Sequence, residues 1–352
     1  MKKLLPVILD TCIKTECWTY MRMCVIQAQP NYEKWLYPHM TMIVENVETA
    51  PLFGDYGQPH KADYYSDIID TEELNIFAVS ADEIVDYVKS NINEGLYISV
   101  FVKMENGYNH EVFIYGYDEN DKKFSSIALG QHGFRPEKVD YEYVENGYRL
   151  LVEQYLKEPG NIFSRRPYNY LLSRIKPTDR YLSRDYTPDY FSKIAHETFG
   201  KIQRFIYTDE NEQKLPPHDF YTGLTCLLAI KNRIEQCDVN QDEGIIYYVR
   251  NSMFKLLEHR RIILAGMKWY EIKWNISSEA IISARKQYED CLTHMEQTSM
   301  MALKDDITKA AEHFNKISQR LSEQYKMEYP ILESYFNQIK EWYFKYVVTV
   351  SM

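Results

Sequence analysis

Residues 109–118 read Asn109-His110-Glu111-Val112-Phe113-Ile114-Tyr115-Gly116-Tyr117-Asp118, an apolar run opened by a histidine and followed by a polar link from Asp118 to Lys122. β-branched and aromatic residues crowded between turn residues mark a strand, here Glu111–Tyr117. A second strand, Phe124–Leu129, follows closely enough to pair with it as an antiparallel hairpin. A third lies upstream at Leu96–Lys103, where Leu96, Ile98, Val100 and Val102 alternate with Tyr97, Ser99 and Phe101. Helices precede these strands. From Cys17 to about Gln29, apolar residues fall at Trp18, Met21, Val25 and Ala28, a helical period, and Ser80–Asn91 opens on Ser-Ala-Asp-Glu as helix N-termini often do. Helix first and sheet afterwards is an α+β order, not the βαβ alternation of a nucleotide-binding fold.

Beyond about residue 185 the pattern changes to long helical periods. Thr187-Pro188-Asp189 starts a helix, with Thr187 as its cap and Pro188 in the first turn, where a missing N–H costs nothing. Leu303, Ile307, Ala310, Phe314, Ile317 and Leu321 make one apolar seam, which Pro330 is expected to close. The seam is too short for a convincing coiled-coil dimer and reads as intramolecular core. Two domains are therefore expected, residues 1–185 and 186–352, the second a helical bundle.

The bulk properties narrow the function classes. A formal charge of −10 argues against a nucleic-acid binder, which needs clustered Lys and Arg facing the phosphates. No stretch approaches the ~18 apolar residues that span a bilayer. The opening MKKLLPVILD reads as a first strand, because Pro6 and Asp10 interrupt its apolar run and no cleavage site follows. The cysteines at 12, 17, 24, 226, 237 and 291 form no CxxC pair and no zinc spacing, so reduced thiols in a cytoplasmic protein are expected, with no metal and no cofactor.

A thiol becomes a nucleophile when a helix start favours its thiolate and a histidine stands close enough to pair with it. Cys17, in Thr15-Glu16-Cys17-Trp18, meets the first condition. His110, at the head of a rigid strand, is the candidate for the second. Cys12 is the rival nucleophile, while Cys24, Cys226, Cys237 and Cys291 read as small buried residues. His259 reads as structural, and His39 and His60 sit in no comparable motif.

With these residues in place, the chain resembles the papain superfamily of cysteine enzymes. Those enzymes carry Cys-Trp at the start of a central helix, here Cys17-Trp18. They also carry Asn-His, an apolar strand and Gly-Tyr, here Asn109-His110 to Gly116-Tyr117. More narrowly the chain is similar to the butirosin-biosynthesis-H-like branch, in which a papain-like domain with an antiparallel sheet precedes a helical region. The resemblance implies an acyltransferase that takes an acyl or peptidyl chain from the phosphopantetheine thioester of a carrier protein onto Cys17. A small amine then receives it, as in nonribosomal peptide-type antibiotic biosynthesis or the assembly of closthioamide.

Two features depart from that pattern. The orienting Asn or Asp of the next strand should fall within Ser126–Gln131, and no carboxylate is there; Asp118 and Asp121 lie at the hairpin tip, far from His110. The glutamine that donates to the oxyanion just before the cysteine is replaced by Asp10, Thr11 and Cys12. A hydrolase with the same two residues, or a non-catalytic scaffold, stays open. Residues 164–184 carry Arg165, Arg166, Arg174, Lys176, Arg180 and Arg184 against Asp179 alone, which suits either a solvated face or a dock for an acidic carrier.

Overall fold

The structure is a computed structural model that describes residues 1–15, 17–39, 43–46, 52–54, 65–75, 77–104, 107–130, 133–157, 170–205, 218–237, 243–303 and 310–348. The chain begins with β1 (Lys2–Leu4), α1 (Cys17–Ile26), α2 (Glu33–His39), β2 (Ile43–Asn46), β3 (Leu52–Gly54) and β4 (Ile69–Asn75). A 3-10 turn at Ala81–Glu83 leads into α3 (Ile84–Asn93), then β5 (Tyr97–Lys103), β6 (Asn109–Asp118), β7 (Lys123–Gly130), β8 (Gly133–Asp140), α4 (Tyr141–Lys157), β9 (Tyr170–Pro177) and α5 (Arg180–Ser183). There follow α6 (Thr187–Thr198), β10 (Ile202–Phe205), β11 (His218–Thr222), α7 (Thr225–Gln236), α8 (Glu243–Lys273), α9 (Glu279–Leu303), α10 (Ala310–Trp342) and a π-helical end at Tyr343–Val348. The order is α+β. The chain divides into two compact units, Met1–Tyr32 with His60–Ser183, and Glu33–Pro59 with Arg184–Met352.

Among the described residues of the first unit, seven antiparallel strands make one sheet in the order β4-β9-β5-β6-β7-β8, with β1 beside β6. The ladder from β5 to β6 ends at Ile98–Ile114, and an irregularity between Ile114 and Gly116 in the pairing with β7 follows. There β1 takes over the open edge of β6, Leu4 opposite Gly116. The glycine is required by that contact, since a Cβ at 116 would stand 2.5 Å from both Leu4 Cδ2 and the Lys3 carbonyl. Tyr117, fully buried, fixes α3 to the strand by donating its hydroxyl to Asn93 Oδ1 at 2.9 Å.

Strand alternation separates two faces of this sheet. One carries Val100, Val102 and Val112 and is packed by α4, whose Gly147 approaches so closely that a Cβ there would lie 2.7 Å from Val102 Cβ. The other carries Tyr97, Ser99, Glu111 and Phe113; Tyr97 and Phe113 stack on it at 5.8 Å, and the Tyr97 hydroxyl donates to the Pro6 carbonyl. The N-terminal segment and α1 belong to this second face. From Thr19 to Ile26 every side chain of α1 is buried, although the sequence pattern suggested one apolar stripe. Such a helix is a central element rather than a surface one.

The second unit holds a small sheet, β10-β11-β2-β3, and the helices α6 to α10 around a core that includes Leu256, Met267, Tyr288, Ile317 and Leu332. Two expectations are corrected here. Tyr186, not Thr187, is the cap of α6, so Thr187 and Pro188 open the helix itself. Pro330 does not close the seam: α10 runs through it to Trp342. Pro330 and Lys326 lie on the exposed side, so the carbonyl freed by the missing N–H meets water, while Leu321, Leu332 and Ile339 stay buried on the other side. Leu303 ends α9 instead of joining the seam, and Ile307 lies outside the described residues. Among the described residues no helix is long and apolar enough to cross a membrane.

Candidate functional site

Cys17 is the first residue of α1. Its side chain, with that of Trp18, lies outside the described residues. The segment leading to it is held against the helix: the Ile8 N–H donates to the Cys24 carbonyl at 2.9 Å and the Tyr20 hydroxyl to the Leu9 carbonyl at 3.1 Å. The Cys12 N–H donates to Gln27 Oε1 at 3.0 Å, and Lys14 pairs with Asp10. The rival thiols separate by environment. Cys12 is half-buried, whereas Cys24 is fully buried and burial pushes its thiol up to about 12, out of reach of a neutral-pH nucleophile. Burial does the same to Cys291 in the second unit, and Cys226 is buried with its Sγ 3.2 Å from the Tyr221 carbonyl.

His110 is the second residue of β6, opposite Val102 of β5. Simple alternation would aim it at the α4 face. Pairing of β6 with β7, however, starts only at Phe113–Ile127, and the His110 ring lies 4.7 Å from that of Phe134. Phe134 stands opposite Leu129, on the α1 side of the sheet. The ring stands at the end of β6 that carries Asn109. The His110 Nδ1 lies 2.7 Å from the Glu111 amide nitrogen and 3.3 Å from the Glu111 carbonyl oxygen, so the Glu111 backbone offers it a partner in either tautomer. Burial holds the imidazole below the usual histidine range, with the bond to the Glu111 backbone pulling the other way.

Two residues of α1 act electrostatically on β6, Arg22 on Glu111 and Cys24 on Tyr115.

Glu111 is the residue that sequence reasoning passed over. It is 2% exposed, accepts the Ser99 hydroxyl, and lies on the α1 face. Burial raises its carboxyl above the usual range, against the opposing pull of Arg22 and Ser99. The available signal was a charged residue at an inward position between apolar neighbours. Asp118 is accounted for elsewhere: it accepts the Asn120 N–H at 3.1 Å in the hairpin turn and pairs with Lys2 at 3.8 Å. On β7 itself, Ser125 to Leu129 offer no carboxylate or amide, and Gln131 lies outside the described residues.

The basic segment is less available than its composition suggests. Arg174 pairs with Glu72 and Arg180 with Asp70, while Arg165 and Arg166 lie outside the described residues. In the second unit His259 is 1% exposed and accepts from Arg260 at 3.1 Å, with Glu197 at 3.7 Å. His39 stacks on Trp35 at 4.6 Å, and His60 lies outside the described residues. No protein-family model matches the chain, and no curated protein matches it.

Proposed function

We propose that the protein is a cysteine-dependent, amide-forming acyltransferase with Cys17 as nucleophile and His110 as base. The observation that supports this reading is that Cys17 opens the helix whose Arg22 and Cys24 act electrostatically on Glu111 and Tyr115 of the strand that His110 heads. At a helix start the first-turn N–H groups favour a thiolate and can hold an oxyanion. The Cys17 sulfur attacks the carbonyl carbon of a carrier-bound thioester, and its proton passes through the His110 imidazole to the departing pantetheine sulfur as the old C–S bond breaks. An amine nitrogen then attacks the acyl-Cys17 thioester, gives its proton to His110, and the Cys17 sulfur leaves and is reprotonated.

Intact-protein mass spectrometry with a carrier-bound acyl thioester tests the first half. An acyl adduct that is lost in Cys17→Ala and kept in Cys12→Ala is the expected result; an adduct that survives Cys17→Ala removes the nucleophile. Adduct release by water faster than by any amine would make the protein a hydrolase. A second reading, a non-catalytic scaffold, is favoured by the engagement of His110 Nδ1 with the Glu111 backbone and by the absence of an acid or amide from Ser125 to Leu129. On that reading Cys17 reacts with iodoacetamide no faster than an ordinary thiol.

A further inference from the structure

We infer that Phe134 is the positioning residue for His110, its ring fixing the plane of the imidazole where β7 offers no orienting Asn or Asp. For its catalytic consequence the inference rests on the acyl-transfer reading. The contact itself does not. The two ring centres lie 4.7 Å apart with 55° between their planes, a separation at which aromatic rings attract one another in a tilted arrangement. Both side chains are half-buried.

Rotation of an imidazole about its Cβ–Cγ bond is broad unless a neighbour blocks it. The Glu111 backbone meets Nδ1 whichever nitrogen carries the proton, so it holds one edge of the ring without fixing its plane firmly. From Ser125 to Leu129 no carboxylate or amide is available to hold the other edge. Phe134 acts on the plane directly, as a flat wall beside the ring. Its own place is well determined, because β7 and β8 pair without a break from Lys123–Asp140 to Gly130–Gly133, and Leu129–Phe134 is one of those pairs. Strand β6, by contrast, pairs with β7 only as far as Phe113–Ile127. At the level of His110 the tie from β6 to this hairpin is thus one between side chains, and a wall carried by a fully paired hairpin is a rigid support for a base. The same ring also helps to keep water from the imidazole, whose burial holds it below the usual histidine range.

The test compares Phe134→Leu, Phe134→Tyr and Phe134→Ala in the full chain. The ring protons of His110 are followed through a pH titration by NMR on histidine-labelled protein, with His110→Gln identifying the signal. In the wild type those protons should be displaced by the ring current of Phe134. Phe134→Leu keeps an apolar cover and removes the flat wall. The displacement should vanish and kcat for acyl transfer should fall about 10-fold or more with little change in KM, the signature of lost orientation, while the titration midpoint stays below about 6.5. Phe134→Ala removes cover and wall together, so the midpoint should also rise toward about 6.5 and kcat should fall about 10- to 100-fold. Phe134→Tyr keeps the flat ring and should recover most of the displacement and of kcat. A folded Phe134→Leu with wild-type ring-proton shifts and wild-type kcat overturns the inference, and so does a Phe134→Tyr that loses as much kcat as Phe134→Leu. If Phe134→Ala does not fold, the comparison of the other two variants decides by itself. Retention of acyl transfer by Cys17→Ala would instead strike down the functional reading, while the ring-proton shifts of Phe134→Leu would still decide whether Phe134 holds the imidazole.

Discussion

An imidazole taken out of water resists protonation, and His110 is held below the usual histidine range for that reason. The consequence for stability has a definite sign. Between its folded value and the unfolded value of about 6.5, the unfolded chain binds more protons at this position, so stability rises with pH there. The contribution of His110 is fully present above that window and is lost as pH falls through it. Urea unfolding at a series of pH values should therefore show a shallower loss between pH 7 and pH 5 in His110→Gln than in the wild type; parallel curves would mean that the ring is already solvated. A neutral ring also gives little help to a resting thiolate. His110→Ala should change the alkylation rate of Cys17 at pH 7 by less than about threefold, because the helix start is the main influence on that thiol, while acyl transfer ends. A large fall in alkylation would show instead that a charged imidazole sits beside the sulfur.

At the scale of elements, close approaches make specific demands. Gly116→Ala would place a Cβ 2.5 Å from the Lys3 carbonyl and the Leu4 side chain. Either β1 leaves the edge or β6 shifts, at a cost of about 1–3 kcal/mol, and protection of the Leu5 amide, which donates to the Tyr115 carbonyl at 2.8 Å, should drop in hydrogen exchange. Unchanged protection would mean that the edge adapts without strain. In the second unit Arg260, wholly buried, bridges Glu197 of α6 at 3.8 Å and Glu328 of α10 at 3.2 Å. Arg260→Met strands two buried carboxylates and should cost about 3–5 kcal/mol, whereas adding Glu197→Gln and Glu328→Gln should restore much of it. No recovery in the triple variant would assign the loss to packing. These contacts also mark the limit of what a sequence displays. Strands β5, β6 and β7 and the start of α1 were legible, because alternation and helical period are local signals. That Thr19 to Ile26 is buried on all sides was not, since burial depends on what other segments bring to the helix. Pro330 misled for a related reason: its cost depends on whether the freed carbonyl meets water, which the tertiary structure decides. Glu111 escaped notice because its meaning comes from Ser99 and Arg22, residues remote in the chain.

Charge acts over the whole molecule, and here the local composition and the pairing disagree. The segment 164–184 is basic within a chain of formal charge −10, which would suit an acidic carrier protein approaching by electrostatic steering. Yet Arg180 is committed to Asp70 and to the Ser66 carbonyl, 3.0 Å from its Nε, and Arg174 to Glu72. Paired charges present little field to an approaching partner, and any steering falls to the remaining cations of the segment. The expected outcome is a division of effects. Arg180→Gln should leave KM for a carrier-bound donor unchanged, and it should lower thermal stability slightly, since it breaks an exposed pair worth about 0–1 kcal/mol and a tie between α5 and the chain just before β4. Arg165→Gln with Arg166→Gln should raise KM for the carrier-bound donor and not for a small neutral thioester, and raised salt should imitate the double variant, because exposed charges are screened within about 8 Å at physiological ionic strength. Steady-state kinetics with both donors at low and high salt decides the matter. If the small donor suffers as much as the carrier, or if Arg180→Gln alone reproduces the rise, the segment steers no acidic partner and its charge serves the fold.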